Sequence, residues 1–88
     1  MTEGIELEEM EQIFDEVLDE VFEERLNQDY QWGEQNHDPD KWISILLEEV
    51  GEVAEANNDE DYKNFREELI QVAAVAIQMV ECYDRNSL

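Results

Sequence analysis

Positive charge is what this chain most lacks. Five Lys and Arg stand against 26 Asp and Glu, a net charge of −21 over 88 residues. Binding to nucleic-acid phosphates or to an anionic membrane surface needs a cationic face, and so few basic residues do not build one. Cysteine is nearly missing as well. The single Cys82 leaves no partner for an intramolecular disulfide, fits a reducing cytoplasm, and reads as core filler in the apolar part of a helix. With three glycines, one proline and no alternating polar–apolar pattern, strands and tight turns are not expected, and the chain reads as all-α. The longest apolar run, Val72 to Ile77, falls far short of the ~20 residues that span a bilayer. The acidic N-terminal stretch has no signal-peptide pattern.

What is present is an apolar share of 42%, close to that of ordinary globular chains and too high for disorder. Residues 1–88 suffice for one small domain, marginal on its own, so a partner subunit is expected. Residues 1–27 carry an acidic amphipathic helix, from about Ile5 to Leu26. Its stripe is Met10, Ile13, Phe14, Val17, Leu18, Val21 and Phe22, and Glu9, Glu16, Asp19, Glu20 and Glu23 form the solvated face. Residues 28–38 read as a polar loop bearing Tyr30, Trp32 and Gly33. Residues 39–84 read as a helical hairpin. Its first helix is opened by Asp38 as N-cap and Pro39 at the first helical position, and runs to about Ala56. The Asn57-Asn58-Asp59 cluster breaks that helix and supplies the next cap, and the last helix spans about Glu60 to Asp84. A short connection makes the two antiparallel neighbours. The last helix is apolar nearly all round, from Leu69 to Val80, which predicts burial on all sides. A single three-helix chain cannot surround it, so a shared bundle in a dimer or tetramer is expected.

Against this pattern, acidic residues intrude. Trp42, Ile45, Glu49, Glu52 and Ala56 share one side of the second helix, and Glu68 shares its line with Val72, Val75 and Met79. A buried unpaired carboxylate is very costly and is normally neutralised, paired or bound to a cation. No basic residue within a turn is placed to pair with Glu49 or Glu52. Residues i and i+3 project together, so Glu49 converges with Glu52 and Glu68 with Gln71. Opposed across the hairpin, they gather three carboxylates and an amide oxygen, a donor set suited to Mg²⁺, with Mn²⁺ as a substitute. Gly51, costly inside a helix, suggests that something approaches closely there.

The run KWISILLEEVGEVAEA, followed by REELIQVAAVAIQMVECYDR and preceded by EERLNQDYQWGEQNH, resembles the MazG-like nucleoside triphosphate pyrophosphohydrolases, the small phage and prophage members in particular. The likeness covers about residues 14 to 85. Its signature is an E-E-x-x-E on one helix and an E-x-x-D on the next. The resemblance implies an all-α pyrophosphatase-like fold and Mg²⁺-dependent hydrolysis of a nucleoside triphosphate to the monophosphate and pyrophosphate. Carried over by position, it makes Glu49, Glu52 and Glu68 metal ligands, and Glu48 the residue that holds or activates the attacking water or binds a second ion. Gln71 stands where that family has an aspartate, and offers an uncharged oxygen instead. Lys41, Lys63 and Arg66 lie near enough to the motif helices to contact phosphates. Trp32 and Trp42 are candidates to stack a base, Trp42 also reading as core. Two other readings remain open. One is a weakly active or inactive relative that binds nucleotide or metal, suggested by Gln71. The other is an acidic helical interaction protein imitating DNA, suggested by the net charge.

Overall fold

The computed structural model describes residues 6–87. Three helices account for nearly all of them: α1 (Leu7–Trp32), α2 (Pro39–Asn58) and α3 (Tyr62–Ser87). The described residues include no strand, as the composition predicts. The expected start of the first helix at Ile5 lies outside the described residues. None of the described helices is long and apolar enough to cross a membrane.

α1 is longer than the sequence pattern suggests. It runs through Gln28 and Tyr30 to Trp32, where a loop is expected, because two interactions hold the extra turns. Arg25 pairs with Asp29 one turn on, at 2.9 Å, and Gln28 turns inward to a buried position. The helix stops at Gly33, whose φ of 72° carries the chain into the left-handed region at no steric cost. The Gly33 N–H donates to the Asp29 carbonyl at 2.8 Å.

α2 begins as expected. The Asp38 carboxylate accepts from the Lys41 backbone N–H at 2.9 Å, and Pro39 takes the first helical position. The hairpin turn departs from expectation. Asn57 and Asn58 remain helical, and the cap of α3 is Asp61, whose Oδ1 accepts from the Asn64 N–H at 3.2 Å. The reversal is made at Glu60, with φ 55°, while the Asp61 N–H bonds back to the Ala56 carbonyl at 3.0 Å. That bond meets a helix-end carbonyl which the Asn-Asn-Asp cluster alone would leave open.

α2 and α3 pack closely and α1 lies against α3, while α1 and α2 face each other across a cleft. Val21, Trp42, Ala56, Ala74, Val75 and Cys82 form the core. Ion pairs fasten α1 to α3. Arg25, itself buried, donates through Nε to Glu81 at 2.8 Å, and Arg66 pairs with Glu20. Glu20 therefore turns toward α3 while its side chain stays 44% exposed. Arg85 and Asn86 tie the end of α3 to the 33–38 loop through the Gln35 carbonyl and Asn36 Oδ1.

Burial within the chain is partial. As expected of a single three-helix chain, α3 is not enclosed: Leu69, Ile77 and Val80 are exposed, because two neighbouring helices cover only two of its sides. The α1 stripe is also mostly open, with Phe14 62% and Phe22 63% exposed. Of the stripe only Val21 is buried, and the buried line continues through the polar Arg25 and Gln28, so stripe and buried face overlap only in part.

Gly51 is unconstrained within the chain. A Cβ built there meets nothing within 4 Å, so the close approach expected beside the glutamates is not made by any described part of this protein. Gly51→Ala is expected to stabilise the fold by about 0.5–1 kcal/mol, the helix-propensity difference. Denaturant titration measures it. A loss of stability would mean that a second chain packs against this spot.

Candidate metal centre and adjoining cleft

The antiparallel α2–α3 hairpin brings together the three intruding glutamates. Carboxylate oxygens of Glu49, Glu52 and Glu68 lie within 4.8 Å of one another. Glu49 and Glu68 are half-buried and Glu52 is exposed. Their neighbours offer no relief. Arg25, Lys63, Arg66 and Arg85 are all engaged with other carboxylates, and no described ion pair reaches the cluster.

The cost is visible in the acidities. Burial pushes Glu49 up from the ordinary 4.5 to about 7, helped by a hydrogen bond to Glu52 and by the charges of Glu52, Glu68 and Glu48. Burial also raises Glu68, with Glu52, Glu67 and Glu24 adding like charge. Like charges gathered in partly desolvated surroundings favour protonation. A divalent cation removes the same strain by a different route. The all-oxygen, carboxylate-rich donor set suits Mg²⁺ or Mn²⁺ better than zinc, whose sites draw mainly on sulfur and nitrogen.

The remaining candidates occupy different surroundings. Glu48 is exposed, outside the cluster but near enough for its charge to act on Glu49. Gln71 lines a cleft of about 470 Å³ that also includes Glu49 in its wall, so it stands beside the carboxylates on the cleft side. Trp32 is 70% exposed and contributes to the rim of the same cleft. Trp42 is 4% exposed, a core residue with one side on the cleft and its ring edge-on to His37 at 4.9 Å. The basic residues lie farther out. Lys41 is exposed. Lys63 is bonded to Glu67 at 2.7 Å. Arg66 is held by Glu20 beside a shallower hollow that Gln71 also lines. On the opposite side of the cluster, Glu52 and Glu68 border a small acidic hollow with Glu55, Asp59 and Asp61.

The cleft itself is a feature that the sequence reading passes over. Five of its lining residues are glutamines, and Asn27 adds a sixth amide. Two of these glutamines are more than nine-tenths buried, Gln28 at 8% and Gln78 at 3% exposure. Gln28 Oε1 and Gln78 Nε2 have no hydrogen-bond partner. An orphaned buried polar atom costs about 1–3 kcal/mol, and native proteins keep few of them. The indole N–H of Trp42 is also unmet but belongs to a different setting, on the side of Cys82, whose thiol it draws toward lower pKa. The signal for the glutamines was available: Gln78 sits on one helical line with Ala74, Val75 and Cys82, the same kind of intrusion that marks Glu49. Compared with protein-family models, curated proteins and solved structures, the chain matches none.

Proposed function

We propose that this protein is a MazG-like nucleotide pyrophosphohydrolase, converting an NTP or dNTP to the monophosphate and pyrophosphate with Mg²⁺, or Mn²⁺ in its place. The observation that carries this reading is the convergence of Glu49, Glu52 and Glu68 within 4.8 Å, without a counter-charge, at the edge of a 470 Å³ cleft. Glu49, Glu52 and Glu68 would hold the ion, and the Gln71 amide oxygen would be a further, neutral donor to it. When bound, the ion offsets the triphosphate charge and polarises the phosphoryl group under attack. Glu48 takes a proton from the attacking water. The water oxygen bonds to the α-phosphorus in line, the α–β bridge bond breaks, and its electron pair leaves with pyrophosphate. The abundance of acid around a polyanionic substrate is reconciled by the ion, whose charge inverts the local field. Lys41, Lys63 and Arg66 are outer phosphate contacts, the last two requiring release from Glu67 and Glu20. Trp32 stacks on the base at the cleft mouth.

The open faces of α1 and α3 support a homodimer or homotetramer in which a second copy covers Phe14, Phe22 and Val80. Cys82, buried and unpaired, suits a cytoplasmic setting. The test is pyrophosphate release from a broad panel of NTPs and dNTPs with Mg²⁺ or Mn²⁺. Metal-dependent release from at least one is expected; none from any would end the enzyme reading.

A second reading, a nucleotide-binding relative with weak turnover, is favoured by the uncharged Gln71 at the cleft wall. Gln71→Asp separates the two. Tighter Mg²⁺ binding is expected in both, because a carboxylate replaces an amide. Turnover that appears only in the variant supports the weak relative, and turnover in the parent that falls in the variant counts against it.

A further inference from the structure

We infer that the cleft beside the glutamates recognises an uncharged nucleobase, whose hydrogen-bonding edge is read by Gln28 and Gln78. This rests on the nucleotide reading above and specifies which residues select the substrate.

The unmet atoms point to the ligand's chemistry. Gln28 Oε1 is an acceptor without a donor and Gln78 Nε2 a donor without an acceptor, both sealed from solvent in the free protein, so a ligand meets them as the amides turn toward the cleft. Both residues are more than nine-tenths buried and both line the cleft. Their natural complement is a planar group presenting both a donor and an acceptor, as the edge of a nucleobase does. Charge excludes most alternatives. The lining contains no Lys or Arg but includes Glu24 and Glu49, so phosphate is repelled from the interior and held at the metal end. Shape narrows the choice further. Trp32 at the rim and Trp42 in the wall offer flat apolar surfaces that suit a planar ring. The size of the cleft, about 470 Å³, falls within the range of small-molecule sites. A sugar hydroxyl also donates and accepts, so ribose is the competing source of the same hydrogen bonds.

The test uses free 2′-deoxynucleosides at millimolar concentration, with no metal and no phosphate, so that its outcome does not depend on hydrolysis. Binding is followed by the side-chain amide NMR signals of the full chain, for the parent and for Gln28→Met and Gln78→Met. Removing an unmet polar atom should leave these variants folded, and unchanged Mg²⁺ affinity checks that the metal end is intact. The expected result is saturable binding of at least one deoxynucleoside, a shifted Gln78 amide, and about tenfold weaker binding in each variant, the loss of one hydrogen bond. Deoxyribose alone should not bind. Failure of every nucleoside to bind the parent, equal binding to parent and variants, or deoxyribose binding as well as nucleosides would each overturn the inference. If nucleosides bind as expected while the nucleotide panel shows no pyrophosphate release, the cleft stands and the hydrolase reading falls.

Discussion

Glu49→Gln should make the metal-free protein more stable and, on the proposed hydrolase reading, abolish pyrophosphate release. These opposite effects come from one cause. In the parent, Glu49 is half-buried and held near pKa 7 by burial and by the adjacent Glu52, Glu68 and Glu48, so at pH 8 its ionised form is kept in unfavourable surroundings. A glutamine keeps the shape, removes that charge and retains a donor for Glu52. The expected gain, allowing for the solvent that still reaches this side chain, is of order 1 kcal/mol, or about 4–8 °C in the melting temperature of a domain this small. Turnover should fall by at least about 100-fold, since even residues supporting a metal ligand cost 10–100-fold when lost. The pattern is that of a site kept at the expense of stability. Thermal melts and pyrophosphate release on the same samples measure both. A glutamate serving only the fold would give the reverse, with lower stability and activity following the folded fraction.

Stability of the metal-free protein should fall as pH rises from about 5 to 8, and Mg²⁺ should restore it. A carboxyl group whose folded pKa lies above its unfolded value binds a proton more tightly in the folded state, so folding is favoured while the group is protonated. For Glu49 the window runs from 4.5 to about 7, and Glu68 contributes in the same direction. General repulsion in a chain of net charge −21 acts with the same sign. Comparison with Glu49→Gln isolates the contribution of the site, and the variant's pH slope should be shallower. At pH 8, Mg²⁺ at a hundredfold excess over its dissociation constant should add ~2.7 kcal/mol by mass action. That gain should shrink toward pH 5.5, where protons compete for the same oxygens. A metal response that is independent of pH, or equal in parent and variant, would place the ion elsewhere.

The all-helical fold was legible because its signals are local: helical periodicity marks the three segments and Asp38-Pro39 opens α2. The glutamate convergence was legible too, because polar residues on apolar lines stand out at helical spacing. What stayed hidden was long-range. Continuation of α1 to Trp32 depends on Arg25, Asp29 and Glu81 meeting across α3, residues 56 apart in the case of Arg25 and Glu81. Transfer of the α3 cap to Asp61 depends on where the backbone reverses, which a run of equivalent turn formers does not reveal. The exposed stripe of α1 shows the limit of periodicity. Phe14, Leu18 and Phe22 mark an apolar face, without saying whether the chain itself covers it. The amide cleft was missed because glutamine in a helix draws no notice unless its line is checked against its neighbours, as Gln78 with Ala74 and Cys82 required.

Anomalous scattering from crystals grown with Mn²⁺ tests the metal assignment most directly. The expected peak lies between α2 and α3, about 2.0–2.3 Å from oxygens of Glu49, Glu52 and Glu68, near the range for hard divalent ions. Crystals saturated with Mn²⁺ that show no peak among these three side chains, or a peak held by other acids, would contradict it.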